Sequence, residues 1–264
     1  LGSAAAAPGD LDPTFGTNGV AEATQGLGTV MALQPDGKIL VAGYTFPWEL
    51  SVVRYAPDGR LDRSFGSGGV AVGPSGRALG LAIQPDGKIV TTGYTANGSM
   101  SVVRFTGAGS LDASFGSGGV ATGPEGDAFA VAVQADGKIV AVGTSGDPFS
   151  SLAAITVLRL QPDGVPDAGF GSNGVVKTPL GIATVGRDVA LQPDGKIVAA
   201  GYSDAMTLVR YETDGSLDPG FGSEGIAKGN APRFSSAESV VLQGDGRIVA
   251  AGGADAVARV QRAD

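Results

Sequence analysis

A sequence repeat of about 50 residues constrains the fold of this chain more than any other feature. The signature LDxxFGxxG, or a close variant, recurs five times, with its phenylalanine at Phe15, Phe65, Phe115, Phe170 and Phe221. The signature QPDGKIV, or a close variant, also recurs five times, starting at Gln34, Gln84, Gln134, Gln192 and Gln243. We number the repeats one to five by these copies. A third signature is an apolar run ending in arginine, at Arg54, Arg104, Arg159, Arg210 and Arg259. A fixed period of this length indicates stacked units that share a core.

The second repeat illustrates the strands that each copy predicts. Residues 79–84 are apolar, and Pro85-Asp86-Gly87 is a typical tight turn, because proline presets φ and glycine accepts a left-handed backbone. Residues 88–94 predict the return strand of a hairpin, 100–105 a third strand and 119–122 a fourth. A single sheet of four short strands buries little surface, so the repeats are expected to pack on one another.

Four-stranded units in five copies are typical of a propeller. We predict an all-β fold, a five-bladed β-propeller of four-stranded antiparallel blades. The fifth repeat stops after its third strand, and residues 11–20 supply the missing LDxxFGxxGV element. The N-terminal strand is therefore expected to complete the last blade and close the ring. The alternative is an open stack, which would usually need distinct caps.

We expect a single domain over residues 9–264. Its blades are expected at about 27–74, 75–124, 125–178, 179–229, and 230–264 together with 9–24. Residues 1–8, LGSAAAAP, are small and carry no apolar core of a signal peptide. We interpret them as a disordered leader or an expression-derived remnant outside the fold.

The two signatures at this spacing resemble the delta-60 repeat of large bacterial extracellular proteins, which is treated as propeller-like. The resemblance covers residues 9–264 and rests on five ordered copies of the motif pair. It implies a propeller-like fold and an extracellular or cell-surface setting in a bacterium. It brings no catalytic residues to this chain.

Composition excludes several kinds of site. The chain has no histidine and no cysteine, which removes imidazole bases, thiol nucleophiles, disulfides and zinc sites built from these ligands. A net charge of −8 without clustered lysine or arginine disfavours nucleic-acid partners, and no apolar run approaches the ~20 residues that span a membrane. We expect a monomer with no cofactor. Calcium stays an open alternative, although the Asp-Gly turns lack EF-hand spacing.

Residues present in every copy are expected to be structural. The repeated phenylalanine predicts a core between blades, and each arginine, such as Arg54, is expected to pair with the aspartate of the LDxxFG turn, such as Asp62. The connections that differ between copies are expected as loops on one face, including GPSGRA from Gly73 and GPEGDA from Gly123. Loops on a rigid frame are where binding residues commonly lie.

The variable connections carry the candidate site residues. Exposed aromatic rings beside polar groups suit sugar stacking or protein contacts, although each ring could instead cover a blade edge. Arg187 and Glu238 interrupt the repeat at the inner strands, where an ion pair between adjacent blades is the simpler interpretation. The candidate ligand-binding residues are Phe46, Trp48, Glu49, Asp147, Phe149, Arg187, Asp188, Arg233, Phe234 and Glu238, with Trp48 foremost.

Three functions remain open at this point. The first is a non-catalytic binding or interaction module whose ligand is a glycan, a peptide or a protein. The second is a hydrolase or lyase that uses paired carboxylates or carboxylate-bound calcium. The third is a spacer within a larger surface protein. The acids available to an enzyme are Glu49, Glu125, Asp127, Asp147, Asp188, Asp204, Glu238 and Asp255.

Overall fold

The computed structural model describes residues 9–22, 26–147, 150–229, 235–253 and 256–260. Within these residues the chain is all β, with antiparallel strands and no helix. No helix that could cross a membrane is found in the described ranges. The all-β class predicted from the repeat is confirmed.

The strands lie in four sheets. The first sheet has the order β1 (Leu27–Leu33), β2 (Ile39–Thr45), β3 (Glu49–Tyr55), β4 (Val70–Ile83), β5 (Ile89–Thr95), β6 (Ser99–Phe105) and β7 (Val120–Glu125). The second contains β8 (Asp127–Val133), β9 (Ile139–Ser145), β10 (Ala154–Leu160) and β11 (Val175–Pro179). The third contains β12 (Val185–Leu191), β13 (Ile197–Ser203), β14 (Ala205–Tyr211) and β15 (Ile226–Lys228). The fourth contains β16 (Ala237–Leu242), β17 (Ile248–Gly252) and β18 (Ala256–Val260).

Strand β4 joins the first two repeats into one sheet. Its first half pairs with β3 as far as Ser75, and its second half pairs with β5 from Gly76 onward. The prediction of a loop at GPSGRA is therefore wrong, and GPEGDA is likewise strand except at Gly126, between β7 and β8. The physical reason is that the first part of each stretch pairs with the strand before it and the last part with the strand after it. This pairing overrides the turn-like composition. A Cβ on Gly76 would come within 2.1 Å of the Tyr94 carbonyl oxygen, so only glycine fits there.

The core lies between successive repeats. Leu40 and Val52 of the first repeat pack with Ile89 and Phe105 of the second in one buried cluster. Four of the five repeated phenylalanines are fully buried at such a junction, namely Phe65, Phe115, Phe170 and Phe221, whereas Phe15 is half-buried. The predicted structural role of the repeated phenylalanine is confirmed.

The predicted arginine–aspartate pairs are also confirmed, in four repeats. The arginine Nε lies 2.9, 2.8, 2.8 and 2.6 Å from the aspartate Oδ2 in Arg54–Asp62, Arg104–Asp112, Arg159–Asp167 and Arg210–Asp218. Each guanidinium also lies over the repeat's phenylalanine ring, 4.3 to 4.5 Å from its centroid.

Three of these arginines, Arg54, Arg104 and Arg159, fasten one repeat to the next. Arg54 donates a second hydrogen bond to the Gly107 carbonyl over 2.8 Å, and Arg159 does so to the Thr213 carbonyl over 2.7 Å. Both acceptors belong to the following repeat. The Arg–Asp pair therefore orients the guanidinium so that it joins two repeats around one aromatic ring.

Candidate functional site

The predicted site residues fall into two groups. Phe46, Trp48 and Glu49 lie together at the connection between β2 and β3. Arg187, Asp188 and Glu238 lie on β12 and β16, the first strands of the fourth and fifth repeats. Asp147 is exposed after β9, where its carbonyl accepts hydrogen bonds from Ser150. The remaining predicted residues, Phe149, Arg233 and Phe234, lie outside the described residues.

The first group forms an aromatic shelf of Tyr44, Phe46 and Trp48. The indole of Trp48 stacks on the Tyr44 ring, with centroids 4.6 Å apart and planes at 11°. Phe46 meets both rings edge-on, at 6.0 Å from Tyr44 and 6.4 Å from Trp48. Tyr44 is buried, whereas Phe46 and Trp48 are 66% and 53% exposed. A buried ring thus supports two rings that face solvent.

The backbone of Trp48 is held in an unusual conformation. Its φ is +87°, a left-handed value that bulky residues rarely adopt. Its N–H donates to the Thr45 carbonyl over 2.7 Å, and its own carbonyl accepts from the Gly76 N–H over 2.9 Å. The conformation is therefore fixed at both ends by strands β2 and β4.

Arg77 lies beside the shelf, and Glu49 follows Trp48 in the chain. The Arg77 guanidinium lies 5.2 Å from the centroid of the Tyr44 ring, and its Nε is buried without a hydrogen-bond partner. Within the described ranges neither Arg77 nor Glu49 forms an ion pair. Sequence reasoning missed Tyr44 because a tyrosine recurs at the equivalent position of other repeats. It missed Arg77 because GPSGRA, which contains this residue, has the composition of a loop.

The second group arises from β-bulges. In all five repeats the pairing of the first strand shifts by one residue, and the extra residues are Thr29, Leu79, Phe129, Arg187 and Glu238. A bulge re-aims the side chain of its extra residue. Arg187 consequently lies 4.7 Å from the Phe129 ring centroid and 3.5 Å from the Glu238 carboxylate. The predicted Arg187–Glu238 ion pair between adjacent repeats is present.

The carboxylates of the second group are engaged by the protein itself. Asp188 accepts hydrogen bonds from the Val240 N–H over 2.8 Å and from the Ser239 hydroxyl over 3.1 Å, both in the next repeat. Burial raises the pKa of Asp127 on the neighbouring strand, and the positive charge of Arg187 opposes that rise. Within the described ranges, no group of three or more acidic residues is placed to hold a metal ion.

The first and last repeats each leave an apolar face uncovered. On the first repeat, Phe15, Leu27, Met31 and Val41 line a groove of about 360 Å³, and Met31 is 65% exposed. On the last repeat, Val257 is 71% exposed. The corresponding faces of inner repeats are packed against a neighbour. The two end faces thus have the character of an interface between repeats.

Comparisons with known proteins agree with this architecture. Residues 34–65, 84–115, 134–170 and 192–221 match a family model described as "Domain of unknown function (DUF5122) beta-propeller". A protein of unknown function from Bacteroides caccae is similar in structure, with a TM-score of 0.52 and 12% identity over 87% of this chain and 72% of that one. The PQQ-bound aldose sugar dehydrogenase of Streptomyces coelicolor has a TM-score of 0.46 and 19% identity over 86% and 75%.

A search of curated protein sequences finds no match. At 12% identity, the likeness to the Bacteroides caccae protein concerns the fold alone. The four matched segments each run from a QPDGKIV signature to the phenylalanine of the following LDxxFG element, which is the unit that the structure repeats. The chain is therefore a propeller-like, all-β repeat protein that carries the repeat of this family.

Proposed function

We propose that this chain is a non-catalytic binding module of a secreted or cell-surface bacterial protein. The observation that carries the proposal is the pair of large rings, Phe46 and Trp48, held in solvent on a connection fixed to the strands. Exposed aromatic side chains on a rigid frame are characteristic of binding surfaces. The secreted setting is supported only by the resemblance to the delta-60 repeat.

We further propose that the frame is a five-bladed ring, closed by the N-terminal segment. Residues 9–22 are already seated on the first repeat, where the Gly16 N–H donates to the Asp58 carbonyl over 2.7 Å. The Gly66 N–H makes the same bond to Ala108 over 2.8 Å one repeat later. In the inner repeats this element follows the third strand of the preceding repeat, so in the closed ring residues 9–22 would belong with the sheet of β16–β18.

Features of the described residues on both sides support this joint. Strand β18 is an edge strand in its sheet, and Arg259 is exposed and forms no ion pair with any described residue. Arg259 corresponds to Arg54, and Asp12 and Phe15 correspond to Asp62 and Phe65. Arg259 would therefore pair with Asp12 and lie over Phe15. By the register of β3 and β4, Ala258 would pair with Val20 and Val257 with Ala21. Closure would also cover both exposed apolar end faces.

The second candidate, a hydrolase or lyase with paired acids or calcium, receives less support. Glu238 is paired with Arg187, and Asp188 holds backbone and hydroxyl donors of the fifth repeat. A general acid or a nucleophile needs a carboxylate that can reach substrate. A spacer has no need of solvent-exposed aromatic rings, because exposing apolar surface to water is unfavourable.

A thermal-shift panel tests the module. The purified chain is heated with Ca²⁺, with EDTA, and with a set of neutral and charged oligosaccharides and peptides. A ligand at 100 times its dissociation constant stabilises a protein by about 2.7 kcal/mol, which is readily seen. Stabilisation that is lost in Phe46→Ala and kept in Arg60→Ala, on the uniform PDG side, supports the proposal.

Other outcomes of that panel count against it. Lower stability in EDTA, restored by Ca²⁺, would favour the metal-dependent alternative. Release of new reducing ends from any oligosaccharide would favour a hydrolase. Binding that is equally sensitive to Arg60→Ala and Phe46→Ala would mean that the variable connection is not the binding surface.

A further inference from the structure

We propose that the aromatic shelf binds the apolar face of a neutral pyranose unit in a glycan, with Trp48 as the stacking residue. This inference rests on the proposed binding module and names its ligand class. Three features support it: the equivalence of Trp48 and Gly98 in the first and second repeats, the size of the shelf, and the charges near it.

Gly98 is the counterpart of Trp48 in the second repeat, with a φ of +74° against +87° for Trp48. Its N–H donates to the Thr95 carbonyl over 2.9 Å, and its carbonyl accepts from the Gly126 N–H over 2.8 Å. The backbone roles are thus identical, and glycine is the residue that the left-handed conformation favours.

Tryptophan at a glycine position carries a cost. A bulky residue with positive φ is strained, and strain of this kind is typical of functional sites. The indole does not offset this by burial, since 53% of Trp48 is exposed. Its contribution to the fold is the stacking on Tyr44. The outward surface of the indole therefore points to a role outside the fold.

The size of the shelf favours a small, flat ligand unit. Only Phe46 and Trp48 present large rings to solvent at this connection, and Phe46 stands at 72° to the indole. A stable protein interface covers roughly 800 Å² on each partner, far more than two rings provide. A pyranose ring has an apolar face of C–H groups comparable to an indole, with hydroxyls around its edge.

The charges near the shelf favour a neutral sugar. Arg77 and Glu49 supply one charge of each sign. Neither forms an ion pair with a described residue, so each can hydrogen-bond to a ligand. The whole chain carries a charge of −8, which repels anionic polysaccharides. Sugar hydroxyls can donate to the carboxylate and accept from the guanidinium.

The test uses the full chain and the fluorescence of Trp48, the single tryptophan. Cellohexaose and chitohexaose are the neutral probes, and hexagalacturonate is the anionic control. We expect a saturable change in Trp48 emission with at least one neutral probe and at least about tenfold weaker binding of hexagalacturonate. Calorimetry then compares the double variant Phe46→Ala/Trp48→Gly, which copies Ala96 and Gly98 of the second repeat, with Asn97→Ala as the matched control. The double variant should bind at least about tenfold more weakly, whereas Asn97→Ala should not differ.

Three results would overturn the inference. One is that neither neutral probe changes the emission of Trp48. Another is that a neutral probe binds but the double variant binds it as well as the unmodified chain, which removes the shelf from the binding surface. The third is tighter binding of hexagalacturonate than of both neutral probes. Failure of the binding module is a different outcome, in which the binding of no ligand in the thermal-shift panel depends on the variable connection.

Discussion

Arg104 and Asp112 form an ion pair whose Nε–Oδ2 distance is 2.8 Å, and the same guanidinium reaches the Pro162 carbonyl of the next repeat. Both side chains are almost fully buried. Removing one partner of a buried pair leaves an uncompensated charge and typically costs about 3–5 kcal/mol. We expect Arg104→Ala to lower the free energy of unfolding by about that amount, measured by urea denaturation.

A matched surface variant provides the control for this pair. Arg60 also lies near an aspartate, Asp58, but its side chain is 85% exposed. Exposed ion pairs contribute about 1 kcal/mol or less. Arg60→Ala should therefore leave the urea midpoint nearly unchanged. Equal effects of the two variants would contradict the role assigned to the repeated pair.

Acid should unfold the protein through the same aspartates. The Ser114 hydroxyl, followed by the Ser114 N–H and the charges of Arg104 and Lys88, lowers the pKa of Asp112 to about 2 against the opposing effect of burial. For Asp218, burial is outweighed by hydrogen bonds from Lys196, Gly220 and Arg210, and the pKa is again about 2.

The sign of the pH dependence follows from those values. The folded pKa lies below the ordinary value near 3.9, so the unfolded chain binds more protons between the two. Stability is therefore full above about pH 5 and is lost as the pH falls toward 2. Ser114→Ala should raise the pKa of Asp112 and move the acid midpoint to higher pH, as followed by circular dichroism. An unchanged midpoint would argue against this hydrogen bond.

The proposed ring joint predicts coupling between Asp12 and Arg259. If the two side chains pair as Asp62 and Arg54 do, the double variant Asp12→Ala/Arg259→Ala should lose no more thermal stability than either single variant. Strictly additive changes in the melting temperature would mean that the residues do not meet. Size-exclusion chromatography separates closure within one chain, which gives a monomer, from pairing between two copies.

Trp48→Gly should leave the fold intact. The substitution removes strain at a φ of +87° and also removes the stacking on Tyr44, and these opposing effects are each of the order of 1 kcal/mol. We expect the melting temperature to stay within about 5 °C of the unmodified chain. A collapse of stability would show that Trp48 serves the fold and would weaken the assignment of the shelf to a ligand.

The repeat in the sequence was sufficient to predict the all-β class, the buried phenylalanines and the arginine–aspartate pairs, because each is local or recurs at every junction. Strand β4 was not predictable in this way, since GPSGRA has turn-like composition and becomes strand only where β3 and β5 pair with it. The contact of Arg187 with both Phe129 and Glu238 likewise depends on bulges in three separate strands.

The candidate site shows the same division. The sequence by itself singled out Trp48 as a lone tryptophan in a variable connection. The tertiary structure decided that it stacks on Tyr44, whose ring Arg77 of β4 also contacts, and that it takes the backbone conformation of Gly98. Residue types and spacing determine which repeats form. Contacts between segments distant in sequence determine where side chains point, because bulges and shared strands arise only when those segments pair.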